Sequence, residues 1–180
     1  SFIANHASFA VIDAIDSAMT RLAGDVGGEL VVGMPTLGLT LAPLVAQRLG
    51  HARYVPLGYS RKFWYAEQLS TPVRSITSPD GAKRVYLDPN LRPLIEGRRV
   101  ILVDDAVSSG ATLMAGLALM DLAGAEVAAI VVAMKQTVRW CKALAPFAAA
   151  PPVRAVFGGP LFERAGEGWT PVAGSMPGLP

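Results

Sequence analysis

The chain has 180 residues, of which 52% are hydrophobic, and its 16 Lys and Arg residues nearly balance its 14 Asp and Glu residues. This size and composition suffice for one domain with its own core, and a net charge of +2 argues against a nucleic acid or an anionic membrane as partner. The single cysteine, Cys141, excludes an internal disulfide, and we expect its thiol to be buried and inert. No apolar run reaches the roughly 18 residues of a membrane span and no signal peptide is recognisable, so we expect a cytoplasmic protein.

The first part of the chain predicts a helix, a strand, a second helix and a second strand. Apolar side chains recur at steps of three and four between residues 8 and 22, which is typical of an amphipathic helix. Residues 29–33 form a short apolar run and predict a strand. Residues 40–49 predict a helix that ends at Gly50, and residues 53–57 predict the next strand.

The segment 58–90 has no single hydrophobic period and contains several prolines and charges. Long structureless loops are uncommon unless they are functional, so we expect a functional loop or a hairpin here. Regular structure resumes with a predicted strand, helix and strand at residues 100–103, 112–123 and 127–134. The tail from residue 151 is rich in Pro and Gly and predicts one short strand near Val156.

Strands and helices that alternate in this way predict an α/β fold. The sheet is expected to be central and mostly parallel, with helices on both faces and right-handed crossovers. No internal repeat and no linker divides the sequence, so we expect a single domain over residues 1–180.

The most informative segment is residues 100–112, VILVDDAVSSGAT, which delivers two acids and a turn of small residues to the start of a helix. Ligands of open α/β sheets bind at the carboxyl ends of the strands. Gly110 permits a positive φ, so that backbone N–H groups around it can point at one phosphate, and the helix N-terminus adds its positive end. Ionised Asp104 and Asp105 accept hydrogen bonds, which suits the hydroxyls of a ribose.

A simpler interpretation is that the two acids begin a turn and that Ser109 caps a helix. Adjacent carboxylates repel each other, however, and at the end of a buried strand they need donors that an ordinary turn does not supply. The order of strand, acid pair, small-residue turn and helix therefore favours a phosphate and ribose site.

The segment resembles the phosphoribosyl pyrophosphate signature of the type I phosphoribosyltransferases, including the adenine and purine enzymes. The resemblance implies a Rossmann-like fold with a small hood and a flexible loop, and it implies that Asp104 and Asp105 hold the ribose 2- and 3-hydroxyls. It assigns the 5-phosphate to the turn formed by Ser108, Ser109, Gly110, Ala111 and Thr112. Val107, on the same turn, is a candidate for packing against the base.

The resemblance extends to a loop for the leaving group. Residues 33–38 link the first strand to a helix and resemble the pyrophosphate loop, which assigns pyrophosphate to Thr36, Leu37 and Gly38. Arg61 and Lys62 follow the second strand, where several family members carry an Arg-Lys pair that contacts pyrophosphate.

Two further features bear on the mobile loop of the family. Lys83 lies where the mobile catalytic loop would be, although Lys83 and the neighbouring Arg84 could equally form a solvated basic face. Residues 75–81 carry Thr77 or Ser78 where the adenine enzymes have a glutamate, which puts adenine in question as the base.

The resemblance predicts Mg²⁺-dependent transfer of a phosphoribosyl group from phosphoribosyl pyrophosphate to a nucleobase, with a purine as the expected class. Magnesium is expected to arrive with the substrate, and a homodimer is implied. The hood is expected to come from residues 1–10, from the tail 151–180, or from both. The alternative is a non-catalytic regulator that senses phosphoribosyl pyrophosphate, against which the small net charge and the lack of room for a DNA-binding domain both argue.

Overall fold

The computed structural model describes residues 4–73, 83–146 and 149–179. Its strands, numbered β1 to β9 along the chain, are Leu30–Gly33, Val55–Pro56, Ser70–Pro72, Arg84–Tyr86, Arg99–Val107, Glu126–Gln136, Val153–Gly159, Phe162–Ala165 and Gly168–Pro171. The α-helices, α1 to α4, are Phe9–Gly24, Gly38–Arg48, Ala111–Ala123 and Arg139–Leu144. Short 3₁₀ helices form at Ala4–His6, Glu67–Leu69 and Pro89–Leu94.

Five strands form the central sheet in the order β2-β1-β5-β6-β7, and every pairing in it is parallel. The predicted α/β class with a parallel sheet is therefore confirmed. Alternate residues of β5 supply the two layers of the core: Val100 and Leu102 pack on the α3 side, whereas Ile101 and Val103 pack with α1 and α2. Successive side chains of a strand point to opposite faces of the sheet. Helices pack on both of these faces.

The central strand is longer than predicted. The sequence predicted a strand over residues 100–103, but β5 runs to Val107 because Asp104, Ala106 and Val107 continue to pair with β6. The two acids therefore lie within the last part of the strand and do not follow it. This rigid placement fixes the direction of both side chains.

The segment that lacked a period contains a hairpin. Strands β3 and β4 pair antiparallel, with Thr71 opposite Val85, and residues 74–82 between them lie outside the described residues. The predicted loop or hairpin is thus confirmed as far as its two strands. Segment 75–81, where the family glutamate is missing, belongs to the part of the chain that is not described.

The tail holds more structure than predicted. Its strand β7 is the edge strand of the central sheet, and β8 and β9 form a second antiparallel hairpin. On this hairpin Phe162 is 51% and Trp169 is 70% exposed, so both rings lie largely at the surface. Cys141, expected to be buried, is exposed on α4, a helix too short to produce a recognisable period. Among the described residues, no helix is long and apolar enough to cross a membrane.

A buried carboxylate joins the first two helices. Asp16 of α1 is 1% exposed and is bound by Arg48 of α2, which also pairs with the exposed Asp13. Burial raises the pKa of Asp16, while the hydrogen bond and charge of Arg48 lower it. One carboxylate oxygen of Asp16, Oδ1, has no hydrogen-bond partner among the described residues.

We expect Arg48→Met to destabilise the fold by on the order of 2 kcal/mol at pH 7, less than for a fully buried pair because Arg48 is itself 42% exposed. Because the pKa of Asp16 is raised in the folded protein, Asp16 stabilises the fold below its ordinary pKa of 3.8. This stabilisation is lost as pH rises and the carboxyl group ionises. The destabilisation should therefore shrink as pH falls towards 4 in urea unfolding. Asp13→Asn is the matched control, and an equal loss in that variant would contradict the assignment to Asp16.

Candidate functional site

Two loops meet at the carboxyl edge of the central sheet. Because β1 and β5 are adjacent and parallel, the loop after β1 and the turn after β5 lie side by side. Gly38, the first residue of α2, touches the end of β5: a Cβ atom there would lie 2.7 Å from the Val103 carbonyl oxygen and 2.8 Å from Asp104 Oδ1. Only glycine permits this contact between the two loops.

The turn after β5 encloses a cavity of about 150 Å³. Gly110 has a φ of +84°, as its assignment to a phosphate turn requires, and it precedes α3 without a side-chain cap. The backbone N–H of Ala111 is 3.3 Å from the Ser109 hydroxyl. The lining comprises Asp104, Val132 and the continuous run from Ala106 to Leu113, so the whole predicted phosphate turn faces the cavity.

Several N–H groups of this turn are available to a ligand. Within the described ranges, the backbone N–H groups of Ser108, Ser109, Gly110 and Thr112 have no acceptor in the protein. An uncapped helix start with unpaired N–H groups is a site for an anion such as a phosphate. Val107 lines the cavity but is only 4% exposed within the core, and its contact with a base stays a prediction.

The two acids are placed differently. Asp104 Oδ1 accepts the Asp105 backbone N–H at 2.9 Å. Burial raises the pKa of Asp104 well above its ordinary value, and the neighbouring Asp105 charge raises it further. Both side chains are half-buried, and Asp104 lines the cavity whereas Asp105 does not. Their roles at the ribose hydroxyls stay predictions.

The predicted pyrophosphate loop precedes α2. Thr36 and Leu37 are exposed, Gly38 is buried, and the Pro35–Thr36 peptide is cis. Leu37 occupies the N-cap position of α2 and provides no side-chain cap. The loop therefore offers a second helix start beside the phosphate turn, as an anion site requires.

The predicted cations occupy two environments. Arg61 pairs with Glu67 at 3.1 Å, its side chain is 57% exposed, and Lys62 is exposed beside it. Lys83 also lies at the surface, but its Nζ is 3.6 Å from the centre of the Tyr59 ring. Lys83 therefore lies against an aromatic ring, whereas Arg61 is held by an acid.

Two residues of the site were not anticipated. Burial raises the pKa of the Tyr59 phenol, the nearby Thr112 hydroxyl lowers it, and the charge of Asp104 raises it. Arg139, at the start of α4, donates through Nη2 to the Ser108 hydroxyl at 3.4 Å. The sequence offered one signal for Arg139, which lies shortly after β6, the strand next to β5. No motif identifies Arg139 itself.

The described residues contain no cluster of three or more His, Cys, Asp or Glu side chains that could hold a metal ion. At the carboxyl edge of the central sheet, the acidic side chains considered for a metal ion are Asp104 and Asp105. Two carboxylates suit a hydrated Mg²⁺ that keeps most of its other ligands from water and a substrate.

Comparison with known proteins agrees with this geometry. The phosphoribosyl transferase domain family matches residues 6–147, more than half of the chain. The adenine phosphoribosyltransferase of Streptomyces coelicolor is 32% identical over 122 residues, which cover 68% of this chain and 63% of that protein. The chain thus spans less than two thirds of the length of this relative.

Solved structures share the fold. The adenine phosphoribosyltransferase of Thermoanaerobacter pseudethanolicus superposes with a TM-score of 0.66 at 21% identity, over 84% of this chain and 87% of that one. The Trypanosoma brucei enzyme, solved with AMP, pyrophosphate and ribose-5-phosphate, gives 0.66 at 18% identity over 81% and 64% of the two chains. With the family match over residues 6–147 and the acid pair, turn and helix in place, the chain belongs to the type I phosphoribosyltransferase family.

Proposed function

We propose that this protein transfers the phosphoribosyl group of 5-phosphoribosyl 1-pyrophosphate to a nucleobase and releases pyrophosphate. The observation that carries the proposal is the cavity of about 150 Å³, which combines the Asp104 carboxyl group with an uncapped helix start. The adenine specificity of the relatives in sequence and structure supports a purine as the base.

The 5-phosphate would bind in the turn from Ser108 to Thr112. Unpaired backbone N–H groups and the positive end of α3 would neutralise its charge, and Arg139 would add a cation beside Ser108. Asp104 and Asp105 would accept hydrogen bonds from the ribose hydroxyls. Since hydroxyl donors favour an ionised acceptor, substrate binding would lower the raised pKa of Asp104.

The leaving group would occupy the loop at Thr36, Leu37 and Gly38. Cleavage of the bond at ribose C1 builds positive charge on the sugar and negative charge on pyrophosphate. Groups fixed around the leaving pyrophosphate stabilise this developing charge more than they stabilise the ground state. Arg61, Lys62 and Lys83 are the cations proposed for this role.

The base would approach C1 from the side opposite pyrophosphate. Because the pyrophosphate loop follows β1 and the sheet order continues β5-β6-β7, the opposite side lies over the ends of β6 and β7. The tail covers this region: Lys135 of β6 is 5% exposed and donates to the Gly178 carbonyl at 3.1 Å. These contacts support the tail as part of the hood.

Magnesium would be bound mainly through the substrate. Asp104 and Asp105 are the protein carboxylates placed to accompany it, and the ion would neutralise the phosphate charge as the sugar bond breaks. We further propose a homodimer, which sedimentation can test directly.

The proposed function is tested by incubating the protein with phosphoribosyl pyrophosphate, Mg²⁺ and single bases. We expect pyrophosphate release with at least one purine and none when EDTA replaces Mg²⁺. Adenine, hypoxanthine, guanine, uracil and orotate form the panel. Silence with every base would overturn the transfer activity, and RNA or DNA binding that responds to phosphoribosyl pyrophosphate would then indicate a regulator.

A further inference from the structure

Thr137 joins β6 to α4 in a backbone conformation that is unfavourable for its side chain. Its φ is +62°, and in the described part of the chain it is the one residue other than glycine with a positive φ. A β-branched side chain is strained in this region, so the surrounding structure must hold it there. Strained residues of this kind are concentrated at active sites and ligand-binding sites.

Burial and three hydrogen bonds hold Thr137 in place. The residue is 1% exposed, and its N–H donates to the carbonyl of Gly159, the last residue of β7, at 2.8 Å. Its own carbonyl accepts the indole N–H of Trp140 at 3.0 Å, and its Oγ1 accepts the backbone N–H of Arg139 at 3.2 Å. These bonds fix the start of α4 relative to the ends of β6 and β7.

The start of α4 lies against the phosphate turn. A Cβ atom added at Gly110 would lie 3.0 Å from Ala143 Cβ and 3.4 Å from Trp140 Cα, so the helix and the turn are in close contact. Arg139, the first residue of α4, donates through Nη2 to the Ser108 hydroxyl at 3.4 Å. Within the described ranges its guanidinium forms no ion pair with an acid, so most of its N–H donors are available to a ligand of the turn.

We propose, on the basis of the proposed function, that Thr137 is a positioning residue that places Arg139 as a ligand of the 5-phosphate. The left-handed backbone of Thr137 directs the chain from β6 towards the phosphate turn, and its Oγ1 fixes the backbone of Arg139. The guanidinium then lies beside Ser108, where it joins the N–H groups of the turn around one phosphate.

A cation is the group that the phosphate turn itself lacks. The turn offers uncharged N–H and hydroxyl donors, whereas a phosphate monoester carries close to two negative charges at neutral pH. A guanidinium supplies a positive charge and a planar pair of donors that fits two phosphate oxygens. A long exposed side chain loses conformational entropy when it binds a ligand, and a fixed backbone limits this loss.

Arg139→Gln removes the charge and tests the contact with phosphate. Calorimetry with ribose 5-phosphate measures affinity without a base or turnover, and we expect the Kd to rise about threefold to tenfold, the effect of a charged hydrogen bond at an exposed site. Arg98→Gln is the matched control, because Arg98 is also exposed but lies just before β5, at the opposite edge of the central sheet. It should leave the Kd unchanged.

Thr137→Gly and Thr137→Asn test the positioning role. Glycine tolerates the positive φ but removes the acceptor for the Arg139 N–H, so the Kd should rise about twofold to fourfold through a less ordered arginine. Thr137→Gly should have no further effect once Arg139→Gln is present. Thr137→Asn should keep the wild-type Kd, because asparagine also tolerates a positive φ and its side-chain oxygen can accept the N–H two residues later. Urea unfolding of each variant reports any purely structural loss.

The transfer assay gives a second readout for Arg139. Because the 5-phosphate keeps its charge while the bond at ribose C1 breaks, Arg139 would bind the ground state and the transition state equally. Arg139→Gln should therefore raise the KM for phosphoribosyl pyrophosphate and leave kcat unchanged. A fall in kcat would show that the substitution disturbs the reacting groups, and it would contradict the assignment to the 5-phosphate.

The outcomes distinguish this inference from the proposed function. If the wild type and Arg139→Gln bind ribose 5-phosphate equally well, the inference is refuted while the transfer activity can still stand. An effect of Thr137→Gly that persists in the Arg139→Gln background refutes the positioning role in the same way. If the affinities follow the prediction but no base is converted, the inference stands and the transfer activity falls. Failure of the wild type to bind ribose 5-phosphate overturns both.

Discussion

Replacing Asp104 and Asp105 together by asparagine is expected to abolish binding of phosphoribosyl pyrophosphate. Hydrogen bonds from the ribose hydroxyls to two carboxylates would be lost, each with a net contribution of about 1.5–3 kcal/mol, so affinity should fall by at least 100-fold. Asparagine keeps the size of both side chains and an acceptor for the Asp105 N–H. Calorimetry with the wild type, both single variants and the double variant measures the loss.

One of these two substitutions, Asp104→Asn, should make the protein more stable at neutral pH. Burial and the Asp105 charge raise the pKa of Asp104, so the stability that this group contributes is present below its ordinary value of 3.8 and is lost as pH rises. Asp104→Asn cannot ionise and should remove this loss. Its free energy of unfolding should therefore exceed that of the wild type at pH 7 and approach it near pH 4.

Asp121→Asn provides a control for both measurements, because Asp121 is exposed near the end of α3. It should alter neither the affinity nor the pH dependence of unfolding. Wild-type affinity in the double variant would contradict the ribose assignment. A less stable Asp104→Asn would instead mean that the carboxylate is well solvated in the folded protein.

Gly38→Ala is expected to damage both the fold and the activity. The added Cβ would lie 2.7 Å from the Val103 carbonyl oxygen and 2.8 Å from both Cα and Oδ1 of Asp104. These are backbone atoms and a buried carboxyl, so α2 and β5 must separate, at a cost of about 2 kcal/mol. The displaced pyrophosphate loop should lower kcat/KM about 100-fold, since an error of about 1 Å in a reacting group has an effect of that size.

Gly168→Ala is the matched control for this change. Gly168 lies in the tail hairpin with a negative or extended φ, and the nearest atom to an added Cβ is 3.9 Å away. Stability and kcat/KM should both match the wild type. Normal kinetics in Gly38→Ala would show that the contact between the two loops is not needed for the reaction.

The sequence was sufficient to predict the parallel sheet and the phosphate turn, because both have strong local signals. The turn from Ser108 to Thr112 lies where the residue pattern predicted, and Gly110 has the required positive φ. The extent of β5 was missed because Asp104 and Asp105 are unfavourable in a strand by propensity. Asp104, Ala106 and Val107 nevertheless pair with β6, in a ladder that sequence periodicity does not reveal.

Contacts between distant segments could not be predicted. Tyr59 follows a strand of only two residues and reaches Thr112, which is 53 positions later in the sequence. Arg139 approaches Ser108 because α4, a helix of six residues, packs against Gly110 through Trp140 and Ala143. No local period encodes such packing, whereas the fold places both residues beside one cavity.

The most direct test of the account is a crystal structure of the protein with ribose 5-phosphate. We predict that the phosphate will lie against the backbone N–H groups of Ser108 to Thr112, with the 2- and 3-hydroxyls on Asp104 and Asp105. A phosphate bound elsewhere, for example between Arg61 and Lys62, with the turn empty, would contradict the central claim.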